Sequence, residues 1–305
     1  MKAGAGLSPV DLMLLGTVLL WALNITVTRY VVSHGFQPLA YATTRYFTAT
    51  ALFWGFTWRR EHSFRIALSD AKLVVLAAVL IFSNQIVFVT SVRLTNASTV
   101  GLVLGTTPIF VGIVATLFRL ERLGRPFWIA AAVSFAGVGL LGYGASGGVS
   151  GRLLGDVLAV ATAATWAGYS VAIAPLMRRY SPFRISAVVL ALGWVPLALV
   201  SIPELSRQSL AGFGWTMGLA FVFAVIGPLF LTNILWFTAI ARVGPSRASL
   251  FANLEPFFAV MFAVVLLSEH LSGWEIAGGA AIAVGIALER LGQRRVPEPV
   301  VVLSE

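Results

Sequence analysis

Two tryptophans, each followed three residues later by a polar side chain, are the first residues here with chemistry to offer: Trp21 with Asn24, and Trp166 with Tyr169. Residues i and i+3 share a helix face, so each pair sets a large flat ring beside a hydrogen-bonding group. A second set, Asn84, Gln85 and Phe88, is answered by Asn233, Trp236 and Phe237, with amide and phenyl ring four residues apart in each. Rings and amides of this kind bind small molecules by stacking and hydrogen bonding. Catalysis asks for more, a nucleophile with its base or a convergent set of metal ligands. The three histidines, His34, His62 and His270, fall in connecting stretches, no paired-carboxylate or His/Glu spacing appears on a helix, and there is no cysteine. An enzyme, a metal centre and a bound cofactor are therefore not expected.

Two ionisable residues stand deep in apolar runs, Arg45 and Glu255. Charge at such depth is costly and marks a functional site by default. Arg45 suits a substrate carboxylate, and Glu255 an ammonium group or a travelling proton. The alternatives are that the two pair with each other, that Arg45 reaches outward to the membrane surface, or that Glu255 serves structure or gating beside Pro256, which lacks a backbone donor. Pro108 and Pro256 fall near the middle of their apolar runs, where proline introduces a hinge, although membrane helices also tolerate proline without motion.

The elements that position these residues follow from composition. Of 305 residues, 58% are hydrophobic and 11% charged, against roughly a quarter charged in soluble domains. At about 20 apolar residues per span, the chain accommodates about ten transmembrane helices. Their expected limits are 10–32, 39–58, 72–92, 96–118, 126–143, 153–177, 182–201, 213–241, 245–267 and 272–291. A formal charge of +9 does not signal nucleic-acid binding, because the basic residues lie between hydrophobic runs. With the N-terminus in the cytoplasm, 16 of the 21 basic residues fall on the inner side and four, Arg29, Arg93, Arg152 and Arg207, on the outer. That bias satisfies the positive-inside rule and puts both termini, with a tail over 293–305, in the cytoplasm. The first run, Leu12 to Val32, reads as a retained helix rather than a cleaved signal. Asp11 and Asp156 are expected to cap helix N-termini, and Glu121 and Glu269 to serve structure at helix ends.

Trp21 and Trp166 each lie ten residues beyond an aspartate, Asp11 and Asp156. Ten residues rise about 15 Å, half of a hydrocarbon core of about 30 Å. Anchoring tryptophans belong at the headgroups, so a midplane pair implies either a central cavity or symmetric helix packing. The equivalence extends further: the aspartate–tryptophan pairs repeat at an offset of 145, Asn84, Phe88 and Arg93 match Asn233, Phe237 and Arg242 at 149, and Pro108, Glu121, Leu123 and Gly137 match Pro256, Glu269, Leu271 and Gly285 at 148. Two halves follow, 1–145 and 150–292. Five helices in each turn the second copy upside down. The expected fold is an all-α integral membrane protein of ten transmembrane helices in two inverted five-helix repeats.

The stretch Asn253-Leu254-Glu255-Pro256, then Leu267-Ser268-Glu269-His270-Leu271 and a Gly-rich final helix, echoed by Pro108 and Glu121-Arg122-Leu123, resembles the drug/metabolite transporter superfamily in its ten-helix form with two EamA-type halves. The first half departs in having Thr107 where the second has Glu255. The resemblance implies a secondary transporter working by alternating access, without cofactor, on amino acids, other metabolites, nucleotide sugars or drugs. The chain is most similar to the bacterial aromatic amino-acid exporters, which implies an inner-membrane exporter of aromatic and other neutral amino acids. Its partners would then be a small-molecule substrate and membrane lipid, with a monomer favoured. A phosphorylated substrate calls for several basic groups, and Arg45 alone qualifies. A lipophilic cation would suit Glu255 with Trp21 and Trp166. Nothing resembles a channel's selectivity filter.

Overall fold

A computed structural model describes residues 8–117, 124–144, 151–243, 251–252 and 254–293. Glu121, Arg247, Asn253 and the tail from 294 onward lie outside the described residues. Helix α1 (Pro9–Ser33) opens on a capping box. The Ser8 hydroxyl accepts the Asp11 N–H at 3.2 Å, and the Asp11 carboxylate accepts the Ser8 N–H at 2.9 Å. Ser8 is thus the cap, and Asp11 the third helical residue. Helix α2 (Pro38–Glu61) also starts on a proline, whose missing N–H is one that a first turn leaves unused anyway.

The chain continues through α3 (Ala71–Leu94), α4 (Ala97–Leu104), α5 (Thr107–Leu117), α6 (Arg125–Gly144), α7 (Gly151–Ile173), α8 (Pro182–Leu205) and α9 (Trp215–Val225). A π-helical turn, Ile226–Leu231, leads directly into α10 (Thr232–Val243), and α11 (Glu255–Leu267) and α12 (Gly273–Gln293) complete the described helices. Helix α7 begins early enough that Asp156 sits in its second turn. It is no cap: its carboxylate is buried and accepts the Thr95 hydroxyl at 2.7 Å, tying α7 to the end of α3.

Two expected spans are not continuous helices. The fourth breaks at Gly105–Thr106 between α4 and α5, and in the ninth Leu254 is a turn residue ahead of α11. Pro108 and Pro256 consequently occupy first turns rather than helix centres, and the mid-helix hinge is corrected to a standing break. At the first break, the Thr106 hydroxyl donates to the Val103 carbonyl at 2.7 Å and the Thr107 hydroxyl to the Leu104 carbonyl at 2.6 Å. They satisfy acceptors that the end of α4 leaves free. The expected eighth span is helical throughout, but its middle widens to the π turn that contains Pro228.

Six stretches among the described residues are long and apolar enough to cross a membrane: Pro9–Ser33, Leu68–Leu94, Ala97–Val114, Leu153–Arg178, Pro182–Leu205 and Trp215–Arg242. Phe127–Leu140 and Glu255–Leu267 are shorter apolar helices. Helix α2 is not among the six because Thr43, Arg45 and Thr57 dilute its hydropathy, yet these groups are buried while Phe47, Trp54 and Trp58 face outward.

Most of the packing is between antiparallel neighbours. Helix α2 lies along α8, joined by Trp54 Nε1 to the Ala187 carbonyl at 3.0 Å and Trp194 Nε1 to the Thr43 carbonyl at 3.2 Å. At one end the Glu204 carboxylate accepts the backbone N–H groups of Leu39 (2.6 Å) and Ala40 (3.3 Å). At the other, Glu61 accepts from the Ser181 hydroxyl and is ion-paired to Arg184 at 2.7 Å. Helix α6 packs on α12, α3 on α7, α4 on α11, and α1 against α10 and α11. Close approach explains Gly137, where a Cβ would stand 2.6 Å from the Gly278 carbonyl oxygen.

Candidate functional site

Where α1, α2, α3, α7 and α10 converge on the two helix breaks, they line a cavity of about 100 Å³. Helix α1 contributes Trp21 and Asn24, α2 Arg45 and Tyr46, α3 Asn84, Gln85 and Phe88, α7 Thr162, Trp166 and Tyr169, and α10 Asn233. Pro228 and Leu229 of the π turn also line it, as do Thr107 at the first break and Glu255 at the second. Ten of the residues singled out in the sequence therefore meet on one wall or another: Trp21, Asn24, Arg45, Asn84, Gln85, Phe88, Trp166, Tyr169, Asn233 and Glu255.

Trp236, Phe237, Pro108 and Pro256 do not line it. Residues 236 and 237 share a face with Asn233 but lie one turn, about 5 Å, further along α10, behind the Trp21 ring. Trp236 packs against Trp21 with centroids 5.0 Å apart, its indole N–H without a partner, and Phe237 is buried 6.4 Å from the Tyr169 ring. Tyr46, Thr107, Thr162 and Pro228 were not assigned to the site from sequence. Thr107 had a signal, as the repeat counterpart of Glu255; a lone tyrosine beside Arg45 and a proline in an apolar run had none.

The cavity's polar wall is organised around Arg45, which is 1% exposed. Its Nη1 donates to Asn24 Oδ1 at 3.0 Å and its Nη2 to Gln85 Oε1 at 2.7 Å. Gln85 donates onward to Asn84 Oδ1 at 3.0 Å, and Asn84 to the Thr162 carbonyl at 2.9 Å and the Thr165 hydroxyl at 3.1 Å. The guanidinium carbon stands 4.9 Å from the Tyr41 ring centroid, within cation–π range. Turned inward and held this way, Arg45 does not reach the membrane surface. Nor does it pair with Glu255: the ion pairs among the described residues are Arg179–Asp70 and Arg184–Glu61. Neither ionisable group of the cavity thus has an ion-pair partner among the described residues.

Beside the amides the cavity has an aromatic lining. The Trp21 and Trp166 rings meet edge to face, 5.2 Å apart at 82°, and Tyr169 adjoins Trp166 at 5.3 Å. Trp21 is fixed by its indole N–H, which donates to the Thr232 hydroxyl at 3.0 Å, and Thr232 in turn donates to the Pro228 carbonyl at 2.6 Å. Among the described residues no group of three His, Cys, Asp or Glu side chains can hold a metal ion. The arrangement fits a small molecule with an acidic group, a basic group and an apolar or aromatic body.

Comparison with known proteins agrees with a carrier. The model of the EamA-like transporter family matches this chain twice, over residues 8–143 and 153–289. The chain is similar to an uncharacterized transporter of Archaeoglobus fulgidus, 27% identical over 271 residues that cover 88% of this chain and 94% of the relative. It is also similar to the uncharacterized transporter YyaM of Bacillus subtilis, 23% identical over 95% of each chain, and to the uncharacterized inner membrane transporter YedA of Escherichia coli K12, 25% identical over 93% of this chain and 91% of that one. One solved crystal structure shares the fold with a TM-score of 0.68 at 22% identity, covering 95% of this chain and all of its own. The chain belongs to the EamA-like transporter family of the drug/metabolite transporter superfamily, as a multi-pass membrane transporter and not an enzyme.

Proposed function

We propose that this protein exports amino acids, aromatic and other neutral ones, across the bacterial inner membrane by alternating access at the central cavity. The observation that carries the reading is the pair Arg45 and Glu255, both on the cavity and each without an ionic partner among the described residues. A zwitterion supplies both missing charges at once. Buried charge is costly unless paired, so the cavity favours a ligand that brings a carboxylate to Arg45 and an ammonium to Glu255. Trp21, Trp166 and Tyr169 offer stacking surface for an aromatic side chain, and smaller neutral side chains fit the same apolar wall.

The alternating part of this reading rests on ten spans in two inverted repeats, for which the sequence offsets and the two helix breaks are the support. The breaks at Gly105–Thr106 and Leu254 correspond at the offset of 148. The packing partners exchange under the same correspondence: α1 meets α10 and α11 as α7 meets α3, α4 and α5. Broken helices at a midplane site are the habit of inverted-repeat carriers.

Proteoliposomes test the proposal. They are expected to exchange labelled phenylalanine and alanine with saturable rates, and to ignore tetraphenylphosphonium, since Arg45 disfavours a permanent cation. Transport of tetraphenylphosphonium without either amino acid would establish the lipophilic-cation reading, which Glu255 and the two tryptophans favour. For orientation, a cysteine at Gln37 should react with an impermeant reagent from outside the cell and one at Arg179 only from inside; labelling of both from one side refutes the inverted arrangement.

A further inference from the structure

Among the described residues Arg45 is the only arginine or lysine lining the cavity, yet it stands back from it, 1% exposed against 9% for Asn24. A guanidinium donates and never accepts, and this fixes the orientation of every amide around it. Gln85 must turn its oxygen to Nη2, so its NH2 group goes to Asn84 Oδ1, and the NH2 of Asn84 goes on to Thr162 and Thr165. On that branch each amide finds its donors and acceptors inside the protein. The other branch ends at Asn24, whose Oδ1 is committed to Nη1. Its Nδ2 makes no hydrogen bond among the described residues, and the side chain, more than nine-tenths buried, lines the cavity.

We propose that Asn24 is the residue that presents the charge of Arg45 to the substrate: Oδ1 stays on the guanidinium while Nδ2 donates to the substrate's carboxylate. An amide whose oxygen is bound to a cation is polarised into a stronger donor, as in any chained hydrogen-bond network. The cavity then selects for an acidic group through a neutral contact, and Arg45 acts as the positioning and polarising residue behind it. This inference rests on the amino-acid reading and names its contact atom.

The test uses three probes that share a phenyl group: phenylalanine, phenylethylamine, which lacks the carboxylate, and 3-phenylpropionate, which lacks the ammonium. Binding is read from ligand-induced thermal stabilisation of the purified full chain. Asn24→Asp accepts from Arg45 but donates nothing, and it cancels the charge at its source. Hydrogen bonds to charged groups set the expected loss at about ten- to a hundredfold for phenylalanine and 3-phenylpropionate, with phenylethylamine unchanged or tighter. Should Asn24→Asp fail to fold, Asn24→Ser, which keeps an acceptor for Arg45 and one hydrogen for the ligand, is expected to show the same selectivity with a smaller loss. Equal weakening of all three probes in a folded variant is what a packing role produces, and it overturns the role of Asn24 alone. A wild-type protein that does not prefer phenylalanine to phenylethylamine overturns the amino-acid reading, and the role of Asn24 with it.

Discussion

Replacing Trp21 by leucine separates what the aromatic wall does for the fold from what it does for the substrate. In the protein, the substitution removes two ring contacts, to Trp166 at 5.2 Å and Trp236 at 5.0 Å, and one hydrogen bond, to Thr232 at 3.0 Å. At about 0.5–1.5 kcal/mol per aromatic pair and about 1 kcal/mol for the hydrogen bond, stability falls by about 2–4 kcal/mol. That loss is the same whatever is transported. A phenylalanine side chain stacked on Trp21 adds one further aromatic pair, and an alanine adds none. The ratio of kcat/KM for phenylalanine over alanine should therefore fall by about two- to twelvefold, measured by competitive exchange in proteoliposomes. Thermal unfolding of the same preparation establishes that the carrier is intact. If both substrates decline by one factor in folded protein, Trp21 is packing and the stacking argument is refuted.

Thr232→Val should leave the Trp21 indole N–H unpaired, costing about 1–3 kcal/mol, and loosen the ring enough to raise KM for phenylalanine more than for alanine; Thr232→Ser should restore both. Gly137→Ala drives a methyl group to 2.6 Å from the Gly278 carbonyl oxygen, so overpacking between α6 and α12 is expected to lower stability by about 1–3 kcal/mol, and an unchanged melting temperature would contradict that close approach. Glu255→Gln keeps the shape of the side chain and removes its charge; phenylalanine should bind about ten- to a hundredfold more weakly while 3-phenylpropionate is unaffected, and equal losses would assign Glu255 to structure.

Trp21 and Trp166 both line the cavity, yet Trp21 is the thirteenth residue of α1 and Trp166 the sixteenth of α7, so the equal spacing from the two aspartates marked equivalent positions in the two halves and not an equal distance from a helix start. The cap was harder, since Ser8 and Asp11 make a reciprocal pair in which either residue reads as the starting one. The breaks at Gly105–Thr106 and Leu254 were not legible because the long apolar stretches on either side outweigh Thr106, Thr107 and Glu255 in a hydropathy window, and hydropathy does not register a lost turn. Proline signalled that something happens there, but the same residue serves a kink and a first turn equally well. Trp236 and Phe237 share a face with Asn233, and only the position of the Trp21 ring, set by another helix, decides that they lie behind the wall. Likewise Arg45 had several candidate partners, and the choice of Asn24 and Gln85 over Glu255 depends on how α1 and α3 are docked against α2. The low hydropathy of α2 misleads for a related reason, since its threonines and Arg45 are buried against protein rather than lipid.

The α2–α8 pair has a mechanical consequence. Glu204 grips the start of α2 at one face and Glu61 grips the start of α8 at the other, so the two helices behave as staves pinned top and bottom. Prising them apart means giving up a carboxylate's hydrogen bonds at either end, and at the Glu61 end an ion pair as well. Any motion that parts α2 from α8 therefore has two latches to undo, one at each end of the pair.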